Sequence, residues 1–258
     1  PFFLYYFGYN YYLIISENFW ETVDEGPIYL AIKKSKKKTT KKKIIISDSV
    51  GAQLFPVDKT YDSLYTLSTT APSSLVGSYI LLQNLLENNN LEGRTIYYVA
   101  HPSSLNEDLR GEYTYNHFIK PFYTNDNYKH ITLLADSLLN TIPYLYASQL
   151  PFIKTSRWQP NIQYKINYEN KISPLYIEYF HKLVYLSRDK KFNFKVVMPF
   201  LRSDQAESKY ELMKSQIEEY KLNNIFEGYF ENAYFLDTSY FITKSNHYKK
   251  YTNKKLIK

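Results

Sequence analysis

A serine and a histidine far apart in the chain have side chains that could perform chemistry together. Ser49 follows a run of three isoleucines, in Lys43-Ile-Ile-Ile-Ser-Asp-Ser49-Val-Gly51, and His247 follows the last apolar segment of the chain. A serine hydroxyl is a weak nucleophile until a base removes its proton, and an imidazole commonly serves as that base. The pair predicts attack by the Ser49 hydroxyl on an acyl carbonyl, with His247 as the base. The alternative is that Ser49 is a plain turn serine and that His247 is a surface histidine beside the basic tail.

The elements that must position these residues alternate between strands and helices. Apolar runs predict buried strands, and amphipathic patterns predict helices between them. The predicted strands are Ile44–Ile46, 95–100 and 194–201, with a last apolar segment at 233–237, and the predicted helices are 10–35, 74–90, 174–189 and 205–222. This alternation predicts an α/β fold, a three-layer sandwich with a mainly parallel central sheet.

Three polar segments each follow a predicted strand. They are residues 47–51, 101–108 and 237–247. Ligands of such sheets bind beyond the carboxyl ends of the strands, so we expect these segments to meet at one edge. The segment His101-Pro102-Ser103-Ser104 could line that site, or Ser103 or Ser104 could cap a helix there.

This arrangement resembles the SGNH (GDSL-type) hydrolase superfamily, whose fold is flavodoxin-like. The resemblance rests on Ser47-Asp48-Ser49-Val50 after the isoleucine run, on Gly77, and on Asp237, Phe241 and His247. It covers roughly residues 43–250 and is greatest for membrane-anchored members that acylate cell-surface polymers, such as the D-alanyl-lipoteichoic acid biosynthesis protein and the alginate O-acetylation proteins.

The resemblance implies roles for individual residues. Ser49 would be the nucleophile and His247 the base, with Asp237 as the third catalytic member. The oxyanion would bind the backbone N–H groups of Ser49 and Gly77 and the side chain of Asn106. The family has glycine where this chain has Ser47, and aspartate where it has Lys244, three residues before the histidine. A lysine cannot stabilise an imidazolium as a carboxylate does, which leaves a Ser–His dyad or an inactive site as alternatives.

Composition excludes several classes of chemistry. The 258 residues include no cysteine, which excludes disulfides, thiolate catalysis and cysteine-based metal sites. None of the five histidines has the HExxH spacing of a metalloprotease. We therefore expect neither a cofactor nor a metal. His117 and His130 could bind substrate but are better explained as structural residues.

The formal net charge of +7 is concentrated in two lysine runs, one over residues 33–43 and one over 249–258. Such runs could contact nucleic acid, acidic lipid or an anionic glycan. No reading helix or stacking platform accompanies them, so solvated segments without a specific nucleic-acid partner are the simpler interpretation.

The chain divides into an N-terminal helical segment, residues 1–42, and an α/β domain, residues 43–258, with a tyrosine-rich insertion near 110–173 that could be a lid. Residues 1–16 carry no charge. They could be the end of a membrane-spanning segment or an amphipathic helix packed on the domain. A membrane anchor or a membrane-bound partner fits an extracytoplasmic location in a bacterium, and the sequence leaves a cytoplasmic location open.

Two functions follow from these residues. The first is a serine-dependent esterase or O-acyltransferase acting on acetyl-type groups of a cell-surface carbohydrate or on a small ester. The second is a catalytically inactive module of the same fold that serves in polysaccharide biosynthesis or export. The sequence does not determine which acyl group is used, whether that group passes to water or to another hydroxyl, or the oligomeric state.

Overall fold

A computed structural model describes residues 3–8, 26–111, 113–142, 168, 170–205, 210–242 and 245–249. The predicted helix at 10–35 is described from Gly26 onward, where a helix begins at the glycine that precedes Pro27. Residues 9–25, Lys244 and most of the predicted insertion beyond residue 142 lie outside the described residues.

Four parallel strands form the central sheet, and helices flank it, as the alternating pattern predicted. The strand order is β2-β1-β3-β4. The strands are β1 (Lys43–Ser47), β2 (Leu64–Thr66), β3 (Thr95–Val99) and β4 (Asn193–Val197). The short strand β2 was not predicted, because three residues are too few to show a periodicity. The fold class is therefore α/β, consistent with a three-layer sandwich.

Four helices lie within the segments that were predicted to be helical, and the shorter helices were not predicted. The principal ones are α1 (Gly26–Ser35), α2 (Ser49–Leu54), α3 (Ser74–Asn88), α4 (Pro102–Leu105), α5 (Lys120–Phe122), α6 (Asn125–Tyr128), α7 (Leu133–Leu139), α8 (Pro174–Asp189) and α9 (Glu211–Glu219). A single π-helical turn, Tyr115–Ile119, precedes α5. In the described residues, no helix is long and apolar enough to cross a bilayer.

The isoleucine run forms the centre of the core. Ile44 and Ile46 are fully buried on β1, and α3 packs its apolar residues in the same cluster. Burial on both faces explains why this strand has no alternation of polar and apolar residues. The core thereby fixes the carboxyl end of β1, from which Ser49 projects.

A small second sheet lies after β4. Strand β5 (Leu201–Arg202) pairs in parallel with β6 (Phe235–Leu236). A bridge between Phe241 and Tyr248 follows it and folds the last described segment back on the domain. This fold-back carries His247 to the carboxyl edge of the central sheet.

Candidate active site

The turn after β1 is organised by a buried carboxylate. Asp48 is 2% exposed and caps α2, accepting hydrogen bonds from the N–H groups of Val50 and Gly51 at 2.9 Å. Its other oxygen accepts from the N–H of His101 at 2.6 Å and from the hydroxyl of Ser104 at 2.7 Å. Burial raises the pKa of Asp48, and these hydrogen bonds oppose the rise. The carboxylate therefore joins the ends of β1 and β3.

Gly51 is needed for this turn to pack. A Cβ atom there would lie 2.5 Å from the Cβ of Ser47 and 2.8 Å from the carbonyl oxygen of Val99. Only glycine lets α2 start so close to β1 and β3. Capping by Asp48 and close packing at Gly51 thus shape this turn, which presents Ser49 at the first position of the helix.

The structure brings together Ser49 and His247. The Nε2 atom of His247 lies 3.0 Å from the Oγ atom of Ser49, across 198 residues of sequence. This distance lies within hydrogen-bond reach for a nucleophile and its base. Both side chains are half-buried and line the same pocket.

A hydroxyl contacts the other ring nitrogen of His247. The Oγ atom of Ser245 lies 3.1 Å from Nδ1 and also accepts the backbone N–H of His247 at 3.0 Å. If Nε2 accepts the proton of Ser49, Nδ1 carries hydrogen and donates to Ser245. A hydroxyl oxygen can orient the ring in this way, but it supplies no negative charge to stabilise the imidazolium.

Asp237 does not take the position that the family resemblance implies. Its carboxylate is exposed and accepts the N–H of Ser239 at 2.8 Å, capping a turn after β6. Hydrogen bonding to Ser239 lowers the pKa of this carboxylate. Asp237 is ten residues from His247 in sequence, and the intervening turn takes its side chain into local capping.

Two of the three expected oxyanion donors, Gly77 and Asn106, lie elsewhere. Gly77 is the fourth residue of α3, which puts its amide in the helical ladder, and a Cβ there would be 3.0 Å from the ring of Phe122. Close packing explains this glycine. Asn106 is the C-cap of α4. Neither residue lines the pocket around Ser49.

Two other groups near Ser49 could donate to an oxyanion. Thr70 lines the pocket, and its Oγ1 atom is buried and has no hydrogen-bond partner in the part of the chain that the structure describes. The N–H of Ser49 is the first of α2, and such amides have no acceptor within their own helix. Nearby, Ser74 has φ of 60°, a strained value for serine at the start of α3. The Thr70 hydroxyl and the Ser49 amide are therefore candidate donors to an oxyanion.

The pocket has a volume of about 470 Å³ and lies at the topological switch point of the sheet, between the ends of β1 and β3. Its far wall includes Glu107, Arg110 and His117. Arg110 forms a salt bridge with Asp108. Burial lowers the pKa of His117. His130, the other histidine considered for substrate binding, packs beside Tyr79 and does not line this pocket.

All three polar segments reach this edge, as predicted. Ser49 comes from residues 47–51, Ser103 and Ser104 come from residues 101–108, and the third segment contributes only its end, residues 245–247. In the described part of the chain, no group of three or more His, Asp or Glu side chains could hold a metal ion.

Sequence reasoning missed Thr70 and Ser245. The signal for Ser245 was its position two residues before His247, which suits a serine that accepts its neighbour's backbone N–H in a turn. Thr70 carried no signal, since it lies in a loop between an unpredicted strand and α3.

Comparison of the chain with protein-family models, with curated proteins and with solved structures gave no match. The resemblance to SGNH hydrolases therefore rests on the residues named above.

Proposed function

We propose that the protein is a serine-dependent esterase or O-acyltransferase that acts on acetyl-type groups of a cell-surface carbohydrate. The observation that supports the chemistry is the 3.0 Å separation of Ser49 Oγ and His247 Nε2 at the wall of an open pocket. The carbohydrate, and a membrane-associated extracytoplasmic location, are the parts of the proposal that depend on the family resemblance.

The proposed reaction begins with proton transfer from Ser49 to Nε2 of His247. The Oγ atom bonds to the acyl carbon, and the oxyanion accepts hydrogen bonds from the Ser49 amide and the Thr70 hydroxyl. The leaving alcohol takes the proton from Nε2, which leaves an acyl-serine. Water or a sugar hydroxyl, deprotonated by the same nitrogen, then attacks the acyl carbon. The bond from that carbon to Ser49 Oγ breaks, and Oγ takes the proton back from Nε2.

The test is release of p-nitrophenol from p-nitrophenyl acetate. Ser49→Ala should lower kcat/KM at least about a thousandfold, because the nucleophile is lost while binding remains. Ser137→Ala is the matched control, since its exposed hydroxyl donates to a helical carbonyl, and this variant should keep the full rate. Unchanged turnover in Ser49→Ala would rule out this nucleophile.

The carbohydrate part has its own measurement. An acetylated oligosaccharide should release acetate in water, or pass its acetyl group to an added sugar acceptor, and Ser49→Ala should do neither. If the protein cleaves the aryl ester but no acetylated sugar, the proposed acyl chemistry of Ser49 stands and the proposed carbohydrate substrate is wrong.

A second candidate is an inactive binding module of the same fold. One contact favours this alternative: Nδ1 of His247 faces the neutral hydroxyl of Ser245 rather than a carboxylate. Under this alternative a fluorophosphonate would leave Ser49 unmodified and acetate release would match that of buffer.

A further inference from the structure

A second cavity lies at the opposite edge of the central sheet from Ser49. Its volume is about 630 Å³, and its lining includes Leu64, the first residue of β2, and Arg94, which directly precedes β3. Because β1, β2 and β3 are parallel, their amino ends share this edge. Strand β1 has five residues and spans about 16 Å, so the two cavities are separate.

The cavity at the amino edge is lined by basic side chains. Among the described residues that line it none is acidic, and five are cationic: Lys34, Lys38, Lys41, Lys59 and Arg94. Thr40 and Thr60 add hydroxyl groups to the lining. Asp58 lies outside the lining, where its exposed carboxylate pairs with Lys59 at 3.5 Å. The cavity therefore carries a large excess of positive charge.

The fold holds the part of the lysine run that reaches this cavity. Asn89, the C-cap of α3, accepts the N–H of Thr39 at 2.7 Å and donates to the carbonyl of Lys37 at 3.0 Å. Arg94 donates from Nη1 to the carbonyl of Thr39 at 2.8 Å. These bonds tie residues 37–39 to the end of α3 and to the start of β3.

Lys34 is a half-buried cation in the wall of the cavity. Its ammonium donates to the carbonyl of Val57 at 2.8 Å and lies 4.9 Å from the centroid of the Tyr65 ring. Burial lowers the pKa of Lys34, Asp58 opposes that fall, and Lys37 adds to it. An anion in the cavity would stabilise the charge that burial disfavours.

Lys41 and Arg94 are also oriented by backbone carbonyls. The ammonium of Lys41 donates to the carbonyl of Asp62 at 2.6 Å. Nη1 of Arg94 donates to backbone carbonyls, while its Nε and Nη2 groups have no partner in the part of the chain that the structure describes. Carbonyls orient a cation but leave its net charge in place. A fixed guanidinium with two adjacent N–H groups to offer suits the paired oxygens of a phosphate.

We propose that this cavity binds a small ligand with two or more linked phosphate groups. The five cations exceed the charge of one phosphate, and they come from α1, the lysine run, the loop before β2 and the start of β3. They surround a cavity rather than forming a stripe, which favours a compact anion over a nucleic acid. The site is independent of the proposed acyl chemistry, since it lies at the other edge of the sheet.

The test is titration of the intact protein with inorganic pyrophosphate in a calorimeter, at low ionic strength and with no added metal. We expect one saturable site whose affinity falls as sodium chloride is added. Lys38→Gln with Lys41→Gln should weaken binding at least about tenfold, because two charge-assisted hydrogen bonds are lost. Lys36→Gln with Lys42→Gln is the matched control: it removes the same charge from the same run, at exposed residues that do not line the cavity, and should change the affinity by less than about twofold.

Three results would overturn the inference: no saturable binding, equal weakening by the two pairs of substitutions, or equal affinity for citrate, a carboxylate anion of similar charge. Lys38→Gln alone changes an exposed side chain and should weaken binding several-fold, so the test does not depend on how the fold tolerates Lys41→Gln.

The two proposals fail separately. Ser49→Ala should bind pyrophosphate as the unsubstituted protein does, and both lysine pairs should hydrolyse p-nitrophenyl acetate at the full rate. Loss of pyrophosphate binding in Ser49→Ala would contradict the placement of this site at the amino edge.

Discussion

The turn that carries Ser49 and the segment that carries His247 are held by different kinds of contact. Asp48 is a buried carboxylate that accepts four hydrogen bonds and joins two strands. His247 is oriented by the hydroxyl of Ser245 and by its neighbour Tyr248, whose hydroxyl donates to the carbonyl of Phe200 at 3.0 Å. The nucleophile is fixed by charge-assisted bonds and the base by neutral ones, which are about half as strong.

The two regions should therefore respond differently to substitution. Changes around Asp48 should damage the fold, because a buried donor left without an acceptor costs its full desolvation energy. Changes at Ser245, whose hydroxyl contacts the ring of His247, should mainly alter the reaction rate. Substitutions at Asp48, Ser245 and Tyr248, each with a comparison variant, test this difference.

The largest expected effect is that of Asp48→Asn. Asparagine keeps one oxygen for Val50 and Gly51, but its NH₂ group would face the N–H of His101, now 2.6 Å from the carboxylate. We expect the free energy of unfolding to fall by about 2–3 kcal/mol, measured by urea denaturation. Ser104→Ala, which removes one donor to Asp48, should cost only about 1 kcal/mol. Equal stability of Asp48→Asn and the unsubstituted protein would contradict the role given to this carboxylate.

A smaller effect, on rate, is expected at Ser245. Ser245→Ala removes the acceptor for Nδ1 of His247 and should lower kcat for p-nitrophenyl acetate about tenfold, equivalent to about 1.4 kcal/mol of barrier. Ser245→Asp should raise kcat above that of the unsubstituted protein, since aspartate can accept the same backbone N–H and adds the missing charge. A Ser245→Asp variant no faster than Ser245→Ala would refute the view that this position orients the base.

The smallest effect is expected at Tyr248. Tyr248→Phe keeps the ring in the cluster with Phe241 and removes only the hydrogen bond to Phe200. Its free energy of unfolding should fall by about 1 kcal/mol, with little change in kcat. Tyr234→Phe, whose exposed ring also packs on Phe200, should lie within about 0.5 kcal/mol of the unsubstituted protein. A larger loss in the control than in Tyr248→Phe would contradict this assignment.

The sequence alone determined the order of the main elements and the edge at which they meet. The isoleucine run marks β1 because burial on both faces requires continuous apolar residues, and the small residues from Ser47 to Gly51 indicate a tight turn after it. Both signals are local in the chain, so pattern and residue type were enough to single out Ser49 as a candidate.

Only the tertiary structure decided which groups surround the reacting atoms. The contact of Ser49 with His247 spans 198 residues, and the groups beside it, Thr70, Ser245 and Asn246, lie in loops without periodic pattern. The same folding left Asp237, Gly77 and Asn106 away from the pocket. Hydrogen bonds depend on loop conformations to within a few tenths of an ångström, and those conformations are set by packing across the whole domain rather than by neighbouring residues.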